Sequence, residues 1–339
     1  MLRTRFFQTL DTLLSQPKRI TVISHVNPDG DAIGSSLAFS RFLQKLGHEV
    51  EVMVSNAFPD FLAWMPGAGQ IHVFDKESDC CNQILDQSEL LVLLDFNNFS
   101  RAGLIQDKLK KSQADKLLID HHRDPDVCCF VGVLSDTQVS STAELVAETI
   151  LHYGESFLDE SIATNLLVGI VTDTGSFAHS VFHPQTFAIC SKLVEKSASY
   201  NQIHQLVYDT FSENRLRLLG YAISNKMEVL DEYATAIIAL NKEELAKFDY
   251  QVGDTEGVVN YPLSMKKIKM SVLVTERQGV IRFSFRSKGD FSVHELAQRH
   301  FHGGGHTNAA GGTLCCSMDE GMRVLHQVLP KYRETLVEQ

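Results

Sequence analysis

The feature that most constrains this chain is a recurrence in its first half. A short apolar run is followed by acidic or histidine side chains and then by a stretch of helical periodicity. Strands are expected at Arg19 to His25, Val50 to Ser55, Leu90 to Phe96 and Lys116 to Asp120. Such short apolar runs are typical of strands buried on both faces. Between the first two, Ile33, Leu37, Phe42 and Leu46 recur at helical spacing over Asp31 to Leu46, and Gly47 supplies a stop. Further helices are expected at Ser141 to His152 and Glu160 to Thr172. The alternation predicts a parallel sheet covered by helices.

The pattern then changes. Pro184 to about Ala222 reads as a helical connector, and after Met227 alternating strands follow at Tyr233 to Leu240, Lys269 to Thr275 and Val280 to Arg286. The last two form a hairpin turning at Arg277, Gln278 and Gly279. A chain of 339 residues accommodates two domains. The expected class is α/β, with a parallel-sheet domain over residues 1–185, a helical connector over 186–226 and a smaller α/β domain over 227–339.

A formal charge of −11 argues against holding long DNA or RNA by neutralising many phosphates. It suits a site that concentrates divalent cations around a small polyanion. Met1 to Leu14 contains no apolar stretch of signal-peptide length. Runs such as Leu90 to Leu94 fall far short of the ~20 residues that span a bilayer, so no membrane segment is expected. Seven cysteines include three adjacent pairs and no Cys-x-x-Cys spacing, which fits reduced thiols in a cytoplasmic protein.

Four clusters carry the chemistry. His25, Asp29 and Asp31 follow the first strand, Asp95 ends the third, Asp120, His121 and His122 end the fourth, and Asp173 closes a helix. In an open parallel sheet the carboxyl ends of strands line one crevice, so these residues can converge there. Each has an ordinary alternative: Asp29 or Asp31 as a helix cap, Asp95 as a loop residue, the histidines as loop residues, Asp173 as a turn residue. Together they offer enough carboxylate and imidazole donors for two ions about 3.5 to 4 Å apart with one carboxylate bridging.

The order His25-Val-Asn-Pro-Asp29-Gly-Asp31, Asp95, Asp120-His121-His122 and Asp173 resembles the four successive motifs of the DHH phosphoesterase family. That family includes RecJ-type exonucleases, family II pyrophosphatases and nano-RNases. The resemblance implies one ion on His25, Asp29 and Asp95 and another on Asp31, Asp95, His121 and Asp173, with Asp95 bridging. It also places His122 against the scissile phosphate and gives Asp120 the task of orienting the histidines. Manganese is the expected ion, with magnesium or cobalt as alternatives.

In the second half, Gly303, Gly304, Gly305 and His306 resemble the Gly-Gly-Gly-His motif of the DHH-associated domain. Successive glycine N–H groups are expected to form an anion nest, aided by a following helix, with His306 donating to phosphate. Arg282 and Arg286 share one strand face and suit bidentate phosphate binding, a solvated edge strand being the other reading. Length and motif order resemble the compact nano-RNase type. That implies exo-acting hydrolysis of oligoribonucleotides a few residues long and 3′-phosphate removal from 3′-phosphoadenosine 5′-phosphate. Hydrolysis of cyclic dinucleotides or their linear products is a second reading. Inorganic pyrophosphate hydrolysis or nucleotide sensing without turnover are readings of another class. The oligomeric state, a homodimer among the readings, is left open.

Overall fold

In the computed structural model, which describes residues 2–178, 183–277 and 279–337, the chain separates into a unit Met1–Thr210 and a unit Phe211–Gln339. The first unit runs α1 (Leu2–Leu13), β1 (Arg19–Ile23), α2 (Gly30–Lys45), β2 (Glu49–Val54), β3 (His72–Val73), α3 (Ser78–Gln87) and β4 (Leu90–Leu94). It continues with α4 (Gln106–Lys111), β5 (Asp115–Asp120), β6 (Gly132–Ser135), α5 (Thr142–Tyr153), α6 (Glu160–Asp173), α7 (Pro184–Glu195) and α8 (Tyr200–Tyr208).

Its six strands are parallel, in the order β3-β2-β1-β4-β5-β6. All five residues of β4 are buried, because alternate side chains enter different cores. Leu90, Val92 and Leu94 join Ile33, Phe39, Leu145 and Ile170 on one face. Leu91 and Leu93 join Cys81, Leu85, Phe99 and Ile105 on the other. Strand order reverses between β1 and β4, so a crevice opens at their carboxyl ends. Both β1 and β4 lead directly into expected ligands, His25 and Asp95.

Helices α2 and α6 meet through main chain. A Cβ at Gly34 would sit 2.4 Å from the Asn165 carbonyl oxygen, and one at Gly169 would sit 2.6 Å from Ala143 Cβ and 2.9 Å from Asp31 Oδ1. Gly169→Ala is therefore expected to lower stability by about 1–3 kcal/mol, the usual cost of overpacking. The same methyl would press on the Asp31 carboxylate, so metal affinity should fall with it. Thermal unfolding and a metal titration on one variant check both effects.

The second unit comprises α9 (Glu213–Asn225), β7 (Met227–Leu230), β8 (Thr235–Leu240), α10 (Lys242–Ala246), β9 (Met270–Arg277), β10 (Val280–Ser287), α11 (Val293–His300), β11 (Gly304–Gly305), β12 (Ala309–Leu314), α12 (Met318–Val328) and α13 (Arg333–Val337). The sheet order is β11-β12-β10-β9-β8-β7, antiparallel except where β8 and β9 run parallel. On β10 burial alternates residue by residue. Phe283 and Phe285 face the core and lie 4.6 and 5.0 Å, centroid to centroid, from Phe301. Arg282, Ser284 and Arg286 take the other face. The β9–β10 hairpin forms as expected, and Gln278 at its turn lies outside the described residues.

The helical stretch 186–226 divides between the units. Ile189 and Leu193 of α7 and Ile203 and Val207 of α8 join the first unit's core. Leu218 and Ala222 of α9 pack with Ile238 and Leu240 in the second. Each helix has an apolar face and is drawn onto the nearer core. Among the described residues no helix is long and apolar enough to cross a membrane.

Candidate metal centre

The four clusters converge at the carboxyl edge of the first sheet, and local structure fixes each donor. His25, just beyond β1, places Nδ1 2.9 Å from the Val26 carbonyl oxygen. A carbonyl only accepts, so Nδ1 carries the proton and Nε2 is left to face Asp95, 3.3 Å away, and Asp29, 3.9 Å away. Asp29 caps α2 with one oxygen, Oδ1 accepting from the N–H groups of Asp31 and Ala32. Its Oδ2 is the atom facing His25. Capping and ligation are thus compatible roles of one carboxylate.

Asp31 is buried, and its two oxygens accept from the N–H groups of Thr142 at 2.7 Å and Ala143 at 2.8 Å. These are the first two N–H groups of α5, where the helix dipole favours negative charge. Asp95 has a left-handed backbone, φ 65°, a conformation that aspartate tolerates better than most residues. Its Oδ2 faces His25, while Oδ1 accepts from Thr142 Oγ1 at 2.9 Å and lies 3.5 Å from His121 Nε2. His121 Nε2 is also 3.6 Å from Asp173 Oδ2 and 3.9 Å from Asp31 Oδ2. The donors thus fall into two sets, His25 with Asp29 and Asp95, and Asp31 with His121 and Asp173. Asp95 has one oxygen toward each.

His122 is held differently. Its Nδ1 lies 2.7 Å from Asp120 Oδ1, and its backbone N–H donates to Asp120 Oδ2 at 3.1 Å. The fully buried Asp120 therefore accepts the Nδ1–H hydrogen bond and turns Nε2 the other way.

The electrostatics are those of carboxylates and imidazoles crowded together out of water. Burial, then the charges of Asp95, Asp173 and Asp29, push the Asp31 carboxyl well above its ordinary range. Burial pushes Asp95 the same way, but His25, His122 and His121 outweigh it and hold the carboxylate far below. Burial disfavours charge on His121 and His25, yet Asp173 and Asp95 raise the first and Asp95 and Asp29 raise the second. His122 is lowered, by burial first and by the charge of Arg101, against the pull of Asp120. Crowded carboxylates at this depth are stabilised when a divalent cation takes the place of water. Oxygen and imidazole donors suit manganese-type ions.

Two participants were not legible beforehand. Thr142 binds both Asp31 and Asp95, and its only sequence signal was the Ser-Ser-Thr opening of a helix. Arg101 lies in the turn Phe99–Ile105, which is tied to the first motif by the Val26 N–H donating to the Arg101 carbonyl at 2.7 Å.

In the second unit the glycine run departs from expectation. No helix follows it: β11 pairs with β12. Three of the four N–H groups from Gly303 to His306 donate within the chain, Gly303 to Ala297 O, His306 to Ala309 O, and Gly305 to His294 Nδ1 at 3.0 Å. The glycine at 303 serves close approach instead, since a Cβ there would sit 1.9 Å from Gly311 O. Arg282 and Arg286 share the half-buried face of β10, in register with Thr313 and Ala309 of β12.

The comparisons with known proteins agree with this layout. The profile described as DHH family, N-terminal domain matches residues 19–170 and the DHHA1 domain matches 231–329. The first match ends just short of Asp173, whose place rests on the geometry above. A crystal structure of an exopolyphosphatase-related protein from Bacteroides fragilis is similar over 98% of both chains, with a TM-score of 0.92 and 38% identity. The bifunctional oligoribonuclease and PAP phosphatase NrnA of Bacillus subtilis is 28% identical over 304 residues, 89% of this chain and 90% of its own. The cyclic-di-AMP phosphodiesterase GdpP of the same species is 26% identical over 96% of this chain but 49% of its own. On these matches the chain belongs to the DHH family, a metal-dependent hydrolase of phosphoester bonds with a DHH domain followed by a DHHA1 domain.

Proposed function

We propose that the chain hydrolyses very short oligoribonucleotides from an end and removes the 3′-phosphate of 3′-phosphoadenosine 5′-phosphate, with two divalent ions, manganese foremost. The observation that carries this reading is the end-to-end similarity to the oligoribonuclease and PAP phosphatase of Bacillus subtilis, 89% of one chain against 90% of the other. Cyclic dinucleotides or their linear products are the second reading, supported by the 96% of this chain that is similar to GdpP.

In this reading His25, Asp29 and Asp95 hold one ion, and Asp31, Asp95, His121 and Asp173 hold the other. When bound, such a pair supplies an activated water and neutralises charge developing on the phosphoryl group. Thr142 and the N-terminus of α5 keep the Asp31 and Asp95 carboxylates in place. Asp120 fixes the proton on His122 Nδ1, so that Nε2 is presented to the scissile phosphate. Arg282, Arg286 and His306 of the second unit are the side chains assigned to substrate phosphate.

A formal charge of −11 disfavours the extended basic track by which proteins hold long strands. With manganese and an RNA series from a dimer to about 24 nucleotides, kcat/KM is expected to fall beyond about five nucleotides. Arg286→Ala should raise KM for the dimer at unchanged metal content. Equal processing of the longest RNA overturns the small-substrate reading. A cyclic dinucleotide as the best substrate selects the second reading.

A further inference from the structure

A second set of metal-type donors lies at the β3 edge of the first sheet. His72 belongs to β3, Glu77 immediately precedes α3, and Cys80 lies in the first turn of that helix. The Lys76 and Glu77 N–H groups both donate to the Val73 carbonyl, folding the chain back so that strand and helix start lie together. Glu77 and Cys80 are three residues apart at a helix start and share a face. One ligand atom from each of His72, Glu77 and Cys80 falls within 4.8 Å of the others.

The surroundings of the imidazole make this more than a cluster of charges. His72 Nε2 lies 3.2 Å from Glu51 Oε2 on β2, and Nδ1 lies 3.2 Å from Glu77 Oε1. A neutral ring carries one N–H. Donated to Glu51, it leaves the Nδ1 lone pair on the side of Glu77. A carboxylate behind an imidazole is the usual partner of a metal-binding histidine. Glu77 is itself steadied by the Val73 N–H, which donates to Oε1 at 2.9 Å. Cys81 is buried in the core, so the adjacent thiols do not chelate together, while Cys80 is exposed.

We propose that His72, Glu77 and Cys80 form a further metal site, oriented by Glu51 and separate from the catalytic cluster. Nitrogen, oxygen and thiolate donors favour a borderline-soft ion of the zinc class over manganese or magnesium. Binding displaces the Cys80 thiol proton to solvent and involves no oxidant. The site stands independently of the phosphoesterase reading.

Cobalt titration of the reduced, metal-stripped full chain tests it, because none of the proposed catalytic ligands is a thiol. A thiolate-to-cobalt charge-transfer band is expected, displaced by zinc. Cys80→Ser and His72→Ala should abolish the band while phosphoester hydrolysis with manganese persists. Glu51→Gln should weaken cobalt binding by about 10- to 100-fold. Zinc should also slow alkylation of Cys80 in the unsubstituted chain, read by peptide mass analysis. No thiolate band, a band that survives Cys80→Ser, or alkylation indifferent to zinc overturns the proposal.

Discussion

Replacing Asp95 by alanine is expected to lower kcat at least about 100-fold, about 2.7 kcal/mol of barrier. Its two oxygens face different donor sets, His25 Nε2 at 3.3 Å and His121 Nε2 at 3.5 Å, so one truncation removes a ligand from both. Asp95→Asn keeps the shape and the bond from Thr142 but not the charge, and should fail nearly as badly while unfolding at a similar temperature. A variant retaining more than about a tenth of kcat, a loss under about 1.4 kcal/mol, would contradict a shared bridging carboxylate.

His122→Ala and His121→Ala should separate chemistry from metal binding. His121 Nε2 sits among Asp31, Asp95 and Asp173, so its loss should cost metal, and added manganese should restore part of the rate. His122 gives Nδ1 to Asp120, and its loss should lower kcat by about 10²- to 10⁴-fold, typical for a positioned acid or base, at nearly unchanged metal content. Asp120→Asn should resemble His122→Ala more than His121→Ala. Elemental analysis of the purified variants decides, and the reverse pattern would mean that the two histidines exchange roles.

How far the site could be read in advance follows from what local sequence encodes. The apolar runs before His25, Asp95 and Asp120 specify buried parallel strands by themselves, and strand ends place ligands. What a residue does beyond its own segment is not encoded locally. Asp31 is fixed by N–H groups more than a hundred positions away. Five strands went unpredicted, β3, β6, β7, β11 and β12, and two of them show why: β3 has two residues, and β12, Ala-Ala-Gly-Gly-Thr-Leu, has low strand propensity and is held by pairing with β10. The glycine run misled for the same reason. Glycine permits a nest and a close strand pair equally, and only the partner chain segments decide between them.

The contact of α2 with α6 through Gly34 and Gly169 has a consequence for how this enzyme can change. Asp31 and Asp173 ride on two helices whose spacing is set by backbone atoms, so the distance between them does not depend on the sizes of surrounding apolar residues. Drift such as Ile→Val or Leu→Met in the adjoining core should erode melting temperature while leaving metal geometry and kcat nearly intact. The lineage is thereby free to explore core sequences, while two positions without side chains stay closed to variation.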